Sequence, residues 1–203
     1  MLVMRCMIEN VAAGVLKKTM ADLAALGEDT HVEVIGGELV PKAAPTWAHH
    51  DVEAGLVVCL RRRFGRKSDE HWPGGWWIGH EIHVGYQTHE IYCHDVVGWR
   101  RERLAGKPTG WPVMTRPDWV CEVLSRGHEK HDRVTKLETL HQAGVPHYWL
   151  VDHDKKILEI HRHAPSGYVL VKSFSAGETV RAEPFDSLEL RTGVIFGDED
   201  DEP

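Results

Sequence analysis

The feature that most constrains this fold is the stretch WVCEVLS at residues 119–125, which is apolar on both faces. Successive strand side chains point to opposite faces, so a strand that is apolar on both needs cover on both sides. A helical pattern follows from about Asp132 and ends at Gly144 and Pro146, a C-cap glycine and a stop signal. A second apolar run, HYWLVD, comes directly after it. This strand, helix and strand predict an α/β fold with a central, helix-covered strand.

The rest of the chain adds strands and one long helix to this unit. The order helix, strand, strand, strand, helix, strand, with further C-terminal strands, predicts a mixed β-sheet flanked by helices. At roughly 150 residues per domain, 203 residues favour one domain at 17–196, after an N-terminal extension (1–16) and before an acidic, disordered tail (197–203). The patterns behind this order are a short helix closing at Gly27, a hairpin turning at Gly36 and Gly37, a long helix at 46–64, a hairpin at 76–99, and strands at 155–163 and 167–174.

Composition excludes several classes of protein. Hydrophobic residues make up 42% of the chain, enough for a core, and no apolar run approaches the roughly 20 residues of a membrane span. We therefore expect no membrane partner and a cytoplasmic location. The four cysteines lack C-x-x-C spacing, which favours reduced, buried thiols. The net charge of -7 argues against a uniformly positive surface, yet residues 61–67 and 99–103 are locally basic. Such clusters either contact phosphates or form solvated helix ends.

Two carboxylates stand inside apolar strands. Glu122 lies in the central strand, and Asp95 shares an alternating face with Cys93 and Val97. Buried acids on neighbouring strands repel each other unless a cation lies between them. Magnesium is bound through one or two carboxylates plus waters, and phosphodiester cleavage uses such an ion to stabilise charge and activate a water. The pair predicts a Mg²⁺ (or Mn²⁺) site.

A third group, a lysine, is expected near these acids. In an E-x-K strand motif it would occupy position 124, which is Leu124. Lys136 is the candidate, with Asp132 one turn before it on the following helix. We place Lys136 about a quarter-turn from an inner stripe that includes Val134 and Leu137, where a long side chain reaches into a cleft from the rim. The alternative is an ordinary i,i+4 surface salt bridge between Asp132 and Lys136.

The ordered segments HVEVIGGELV, HHDVEAGLVVCL, HDVVGW, DWVCEVLSRGHEKHDRVTKLETLHQAGVPHYWLVD and GYVLVKSF resemble the Uma-two family. This bacterial group is assigned to restriction endonucleases within the PD-(D/E)XK nuclease superfamily. The resemblance implies a restriction-endonuclease-like core and magnesium-dependent cleavage of DNA. It implies that Asp95 and Glu122 bind the metal with the backbone carbonyl of Val123, and that Lys136 is a lysine moved onto the helix. One departure is the sequence CHDV, which places His94 before the acid.

The same resemblance implies auxiliary residues and partners. DNA is the expected substrate, and a homodimer is the default arrangement for cutting two strands. The auxiliary positions are Glu33, Glu38, in the stretch GEL, His49, at the start of the long helix, and Asp132.

Two other classes of protein fit parts of the sequence. The chain has 15 histidines, several on paired strands, which would suit a cupin-like metalloprotein. A nuclease fold without catalysis, acting as a DNA-binding or assembly module, is the second alternative.

Three tryptophans lie close together in the sequence, at Trp72, Trp76 and Trp77. They either stack on bases or pack against the sheet or a dimer partner.

Overall fold

The computed structural model describes residues 16–127 and 129–198. Nearly all of the expected N-terminal extension, and residues 199–203 of the expected tail, lie outside these ranges. The helices are α1 (Met20–Ala24), α2 (Trp47–Arg63), α3 (Leu137–Gln142) and α4 (Thr192–Ile195), with a π-helical turn (His131–Lys136) leading into α3. The strands are β1 (Val32–Ile35), β2 (Glu38–Pro41), β3 (Trp76–Gln87), β4 (Glu90–Arg100), β5 (Trp119–Val123), β6 (His147–Asp152), β7 (Ile157–Ala164), β8 (Gly167–Ser175), β9 (Thr179–Val180) and β10 (Leu190–Arg191).

One large mixed sheet organises the chain. Its strand order is β2-β1-β4-β5-β6-β7-β8, and β3 pairs with β4 beside this path. Strands β5 and β6 run parallel, because the π-helical turn and α3 cross over between them, whereas the other pairs in the sheet are antiparallel. The predicted α/β fold is confirmed. The cupin-like alternative is wrong, since the sheet does not close into a barrel.

Both faces of the sheet are covered, as the pattern of β5 requires. All five residues of β5 are buried. On one face Trp119 and Trp149 pack with Phe185 from the C-terminal segment, and α2 contributes Leu56. On the other face Leu140 of α3 packs with residues of β4, β5 and β6. The central strand is therefore held between two apolar layers, and its one glutamate is forced into the interior.

Trp76 and Trp77 belong to this sheet, as the first two residues of β3. Trp76 is 3% exposed and its ring lies 4.9 Å from that of Phe185, so it packs in the core of the chain itself. The thiols of Cys59, Cys93 and Cys121 are buried, as expected. No helix within residues 16–127 and 129–198 is long and apolar enough to cross a membrane.

The helix after β5 differs from its sequence-based description. Residues 131–136 form a π-helical turn, whose i→i+5 hydrogen bonds place more residues in each turn than an α-helix does. Val134, predicted on the inner stripe, is 53% exposed, and Lys136, predicted at the rim, is only 3% exposed. The placement of Val134 was wrong, because the wider turn changes which side chains face the sheet. Lys136 does reach into the interior, and more deeply than a position at the rim implies.

Candidate active site

A small cavity gathers charged side chains where β4 and β5 separate. Its volume is about 20 Å³. The antiparallel pairing of these strands ends at Val96 and Cys121, so Asp95 and Glu122 lie just beyond the last paired residues of β4 and β5. The charged and titratable residues that line the cavity are Glu33, Lys42, His49, Asp95, Glu122, His131, Asp132 and Lys136.

Lys136 lies at the centre of three carboxylates. Its Nζ is 3.1 Å from Glu33 Oε1, 3.3 Å from Glu122 Oε1 and 3.2 Å from Asp132 Oδ1. Burial alone would lower the pKa of Lys136, but the charges of Glu122, Glu33 and Asp132 outweigh it and raise this pKa well above its ordinary value. The side chain is therefore a fixed cation, and its pairing with Asp132 is buried rather than a surface salt bridge.

Asp95 is held by a backbone amide and a second lysine. Its Oδ2 accepts a hydrogen bond of 2.6 Å from the Val123 amide, and its Oδ1 lies 2.6 Å from Lys42 Nζ and 3.6 Å from His49 Nε2. Within the described residues, Oδ1 nevertheless accepts no well-directed hydrogen bond. Burial opposes ionisation, but Lys42 and His49 lower the pKa of Asp95 below its ordinary value. Asp95 is therefore a carboxylate with one oxygen still able to accept.

Glu122 is oriented by a relay of two side chains. His94 Nδ1 lies 2.5 Å from Glu122 Oε1, and Tyr86 Oη lies 2.6 Å from His94 Nε2. Burial and the charge of Lys136 lower the pKa of His94 well below its ordinary value, so the ring is neutral. A neutral ring satisfies both contacts when Nδ1–H donates to Glu122 and Nε2 accepts from Tyr86. Burial also raises the pKa of Glu122 well above its ordinary value.

The structure brings most of the predicted residues together. Glu33 accepts a hydrogen bond of 2.9 Å from the Cys93 amide, and His49 lies 3.2 Å from the Ser125 hydroxyl. Glu38 does not join them: it is exposed at the start of β2, opposite Ile35 in the hairpin, and does not line the cavity. Glu38, predicted only as an auxiliary position, therefore lies outside the cavity. The predicted residues that line the cavity are Glu33, His49, Asp95, Glu122, Asp132 and Lys136.

Two charged groups near the cavity, Lys42 and Glu81, were not predicted from the sequence. Lys42 follows β2 directly and has no motif around it, so only the fold could bring it to Asp95. Glu81 lies beside it, with its Oε1 2.7 Å from Lys42 Nζ and a positive φ of 51° that a non-glycine residue rarely adopts. His94 was recognised only as a departure from the usual sequence, although its place beside Asp95 was a usable signal.

Comparisons with known proteins agree with this architecture. The crystal structure of "a putative nuclease belonging to DUF820 from Anabaena variabilis ATCC 29413" superposes with a TM-score of 0.66 at 18% identity. The match covers 88% of this chain and 97% of that one, which shows a shared fold. A search of curated proteins found no match. The family model described as "Uma2: Putative restriction endonuclease" matches residues 19–193. The chain therefore belongs to the Uma2 family, as its motifs predicted.

Proposed function

We propose that this protein is a metal-dependent endonuclease that hydrolyses phosphodiester bonds of DNA. The observation that carries the proposal is the meeting of two buried acids, Asp95 and Glu122, with the Lys136 ammonium around one small cavity. Asp95 and Glu122 hold Mg²⁺ or Mn²⁺ together with the backbone carbonyl of Val123. Membership of a family described as restriction endonucleases supports the same reaction.

The residues present fit a hard divalent ion. The cavity of about 20 Å³ has room for one water-sized occupant, and Asp95 Oδ1 still lacks a directed hydrogen bond within the described chain. No group of three His, Cys, Asp or Glu residues in the described ranges has the arrangement of a metal site. Magnesium does not require one, because it is usually bound through only one or two carboxylates plus substrate phosphates.

The charge balance of the cavity also favours a divalent cation. Four carboxylates and two lysine ammoniums line it. Fully ionised, these six groups leave two negative charges, which one divalent ion would neutralise. A protonated His49 would leave one. Without such an ion, burial and mutual repulsion raise the pKa values of Glu122 and Asp132. The carboxylates in this balance are Glu33, Asp95, Glu122 and Asp132, and the lysines are Lys42 and Lys136.

The metal, when bound, supplies charge stabilisation on the phosphate and a lowered pKa for the attacking water. Lys136 stays protonated at neutral pH, because its pKa is raised, so it acts as a hydrogen-bond donor and not as a general base. From its position 3.3 Å from Glu122 Oε1 it orients the water and offsets charge that develops on the phosphate. His94 and Tyr86 fix the Glu122 carboxylate in the orientation that this requires.

We expect Mg²⁺ binding to release protons. The raised pKa of Glu122 favours its protonated form in the metal-free protein, and a carboxylate must lose its proton to bind the ion. Asp95 contributes none, because its pKa is lowered and it is already ionised. Apparent affinity for Mg²⁺ should therefore fall as the pH falls through the raised pKa of Glu122. Titration calorimetry in two buffers of different ionisation enthalpy measures the release, up to about one proton per ion at this residue.

The matched control is Glu122→Gln, which removes the titrating group and preserves its shape. It should bind Mg²⁺ more weakly, and its heat of binding should depend less on the buffer. Binding by the unchanged protein with a buffer-independent heat would contradict the assignment of Glu122 as a ligand.

Conversion of supercoiled plasmid to nicked or linear DNA tests the proposed reaction. We expect conversion with Mg²⁺ or Mn²⁺ and loss of conversion on Asp95→Ala or Glu122→Ala. A protein that shifts DNA on a gel but never cuts it would be the inactive DNA-binding module, and cleavage of a matched RNA alone would remove DNA as the substrate.

We also propose a homodimer, because cutting both strands uses two such sites. Sedimentation of the DNA complex measures the number of subunits.

A further inference from the structure

A second cavity, of about 370 Å³, lies on β3 and β4 away from the acidic residues. It shares no lining residue with the small cavity at Asp95. Its size is within the usual range for sites that hold a small molecule or a nucleotide. The side chains and glycines that line it are Arg61, Gly65, Trp77, Ile78, Gly79, Ile82, Trp99, Arg101, Lys107, Pro108 and Val113.

The two basic segments of the sequence meet at this cavity. Arg61, in the last turn of α2, belongs to the first segment, and Arg101, just after β4, belongs to the second. Arg101 ties them together by donating from Nη2 to the Gly65 carbonyl at 3.1 Å and from Nε to the Trp76 carbonyl at 3.0 Å. With Lys107, three cations and no acid line the cavity, although the whole chain carries a net charge of -7.

Two of these cations remain available. The side chains of Arg61 and Lys107 are exposed, and neither has a hydrogen bond or an ion pair with another described residue. A solvated helix end explains Arg61 alone, but it does not explain why a loop lysine converges on the same cavity. Unpaired cations that face one cavity provide a site for an anion such as a phosphate.

The aromatic part of the lining is fixed in place. Trp77 Nε1 donates to the Leu104 carbonyl at 3.3 Å, and Trp99 Nε1 donates to the Thr115 carbonyl at 2.9 Å. The guanidinium carbon of Arg101 lies 3.5 Å from the centre of the Trp77 ring. Trp99 is only 3% exposed and supports the wall from behind, whereas the half-buried Trp77, fixed by its Nε1 hydrogen bond, offers the accessible aromatic surface.

We infer that this cavity binds an unpaired nucleotide of the nucleic-acid strand, with its phosphate at Arg61 and Lys107 and its base against the tryptophan-lined wall. The identity of the ligand rests on the nuclease function proposed above. A base within a duplex is stacked and cannot enter such a cavity, whereas an unpaired base can. Trp99 is four residues from Asp95 along β4, about 14 Å at 3.4 Å per residue, or about four base-pair rises. With that spacing, a strand that reaches both cavities would place the unpaired nucleotide a few positions from the cleavage point.

Fluorescence anisotropy without divalent ions tests this inference, because it measures binding alone. The two probes are a fully paired labelled duplex and the same duplex with a short single-stranded overhang. We expect the unchanged protein to bind the overhang duplex about tenfold more tightly, a preference typical of base stacking. The double variant Arg61→Gln/Lys107→Gln should bring the two affinities within about twofold of each other.

The matched control is Arg162→Gln/Lys172→Gln, which removes two exposed cations from β7 and β8 and should keep the preference. If the double variant does not fold, Lys107→Glu alone, on an exposed loop, should also reduce the preference. Equal affinity of the unchanged protein for both probes, or a preference that survives in the Arg61/Lys107 variant, would overturn the inference. Binding of free dAMP as tight as that of the overhang duplex would also overturn the inference, because it would identify a site for free nucleotides.

The proposed cleavage reaction and the proposed nucleotide site can be disproved independently of each other. Plasmid nicking without any preference for the overhang removes only this second site. A preference that depends on Arg61 and Lys107, found in a protein that never nicks DNA, leaves the nucleotide site standing and removes only the cleavage reaction.

Discussion

Lys136→Ala is expected to abolish cleavage while the chain stays folded. The ammonium lies within 3.3 Å of three carboxylates, at the position from which it orients the water and offsets phosphate charge. Removing a single preorganised donor of this kind costs about 10² to 10³ in rate, and loss of a full positive charge should reach the upper end of that range. Rates of plasmid nicking with Mg²⁺ measure the loss.

The folded state should survive because the remaining acids can take up protons. Burial already raises the pKa values of Glu122 and Asp132, and without Lys136 both should rise further. The variant should lose some stability, yet its far-ultraviolet circular dichroism should match that of the unchanged chain. The control is Lys130→Ala, an exposed lysine on the same segment, which should keep full activity. Full activity of Lys136→Ala would remove this lysine from the mechanism.

Much of the fold was predictable because its signals are local. The apolar strand at 119–125, the glycine stop at Gly144 and the two hairpins each follow from a few neighbouring residues, and together they define the mixed sheet. The two embedded acids were predictable for the same reason. A carboxylate in a fully apolar strand stands out in sequence, and the sheet then carries Asp95 and Glu122 to one cavity.

What the sequence could not give depends on deviations from regular geometry. The π-helical turn changes the direction of Lys136, and a 3.6-residue period has no means of indicating it. The pairing of β4 with β5 stops at Val96, so simple alternation of faces no longer holds beyond it, and His94 reaches Glu122. Lys42 meets Asp95 only through the tertiary fold, across 53 positions of the chain.

Lys42→Met is expected to destabilise the metal-free protein strongly and to make its stability depend on Mg²⁺. Lys42 Nζ lies 2.6 Å from Asp95 Oδ1 and 2.7 Å from Glu81 Oε1, and the charge of Asp95 helps to raise its pKa well above the ordinary value. In the metal-free protein this ammonium compensates the buried Asp95 carboxylate. Removing one partner of a buried ion pair costs about 3–5 kcal/mol, because the other charge is left uncompensated. Guanidinium unfolding at neutral pH in a chelator measures the loss.

The pH dependence of that loss has a defined sign. The pKa of Asp95 is lowered in the folded state, so its ion pair contributes stability above its unfolded pKa, near 3.9, and this contribution disappears as the pH falls through the lower folded value. In Lys42→Met the contribution is already gone. The difference in unfolding free energy between the two proteins should therefore be largest at neutral pH and should shrink in acid.

Magnesium should restore much of the stability that Lys42→Met loses, because the divalent ion takes the place of the ammonium beside Asp95. At about a hundred times its dissociation constant, a ligand that binds only the folded state adds about 2.7 kcal/mol. The control variant is Lys172→Met, which changes an exposed lysine of β8. It should neither lose stability nor gain more stability from Mg²⁺ than the unchanged protein does. A Lys42→Met variant that is equally destabilised with and without Mg²⁺ would mean that the ion does not bind at Asp95. The cleavage mechanism would then lose its metal ligand, since Asp95 is a buried acid that stays ionised.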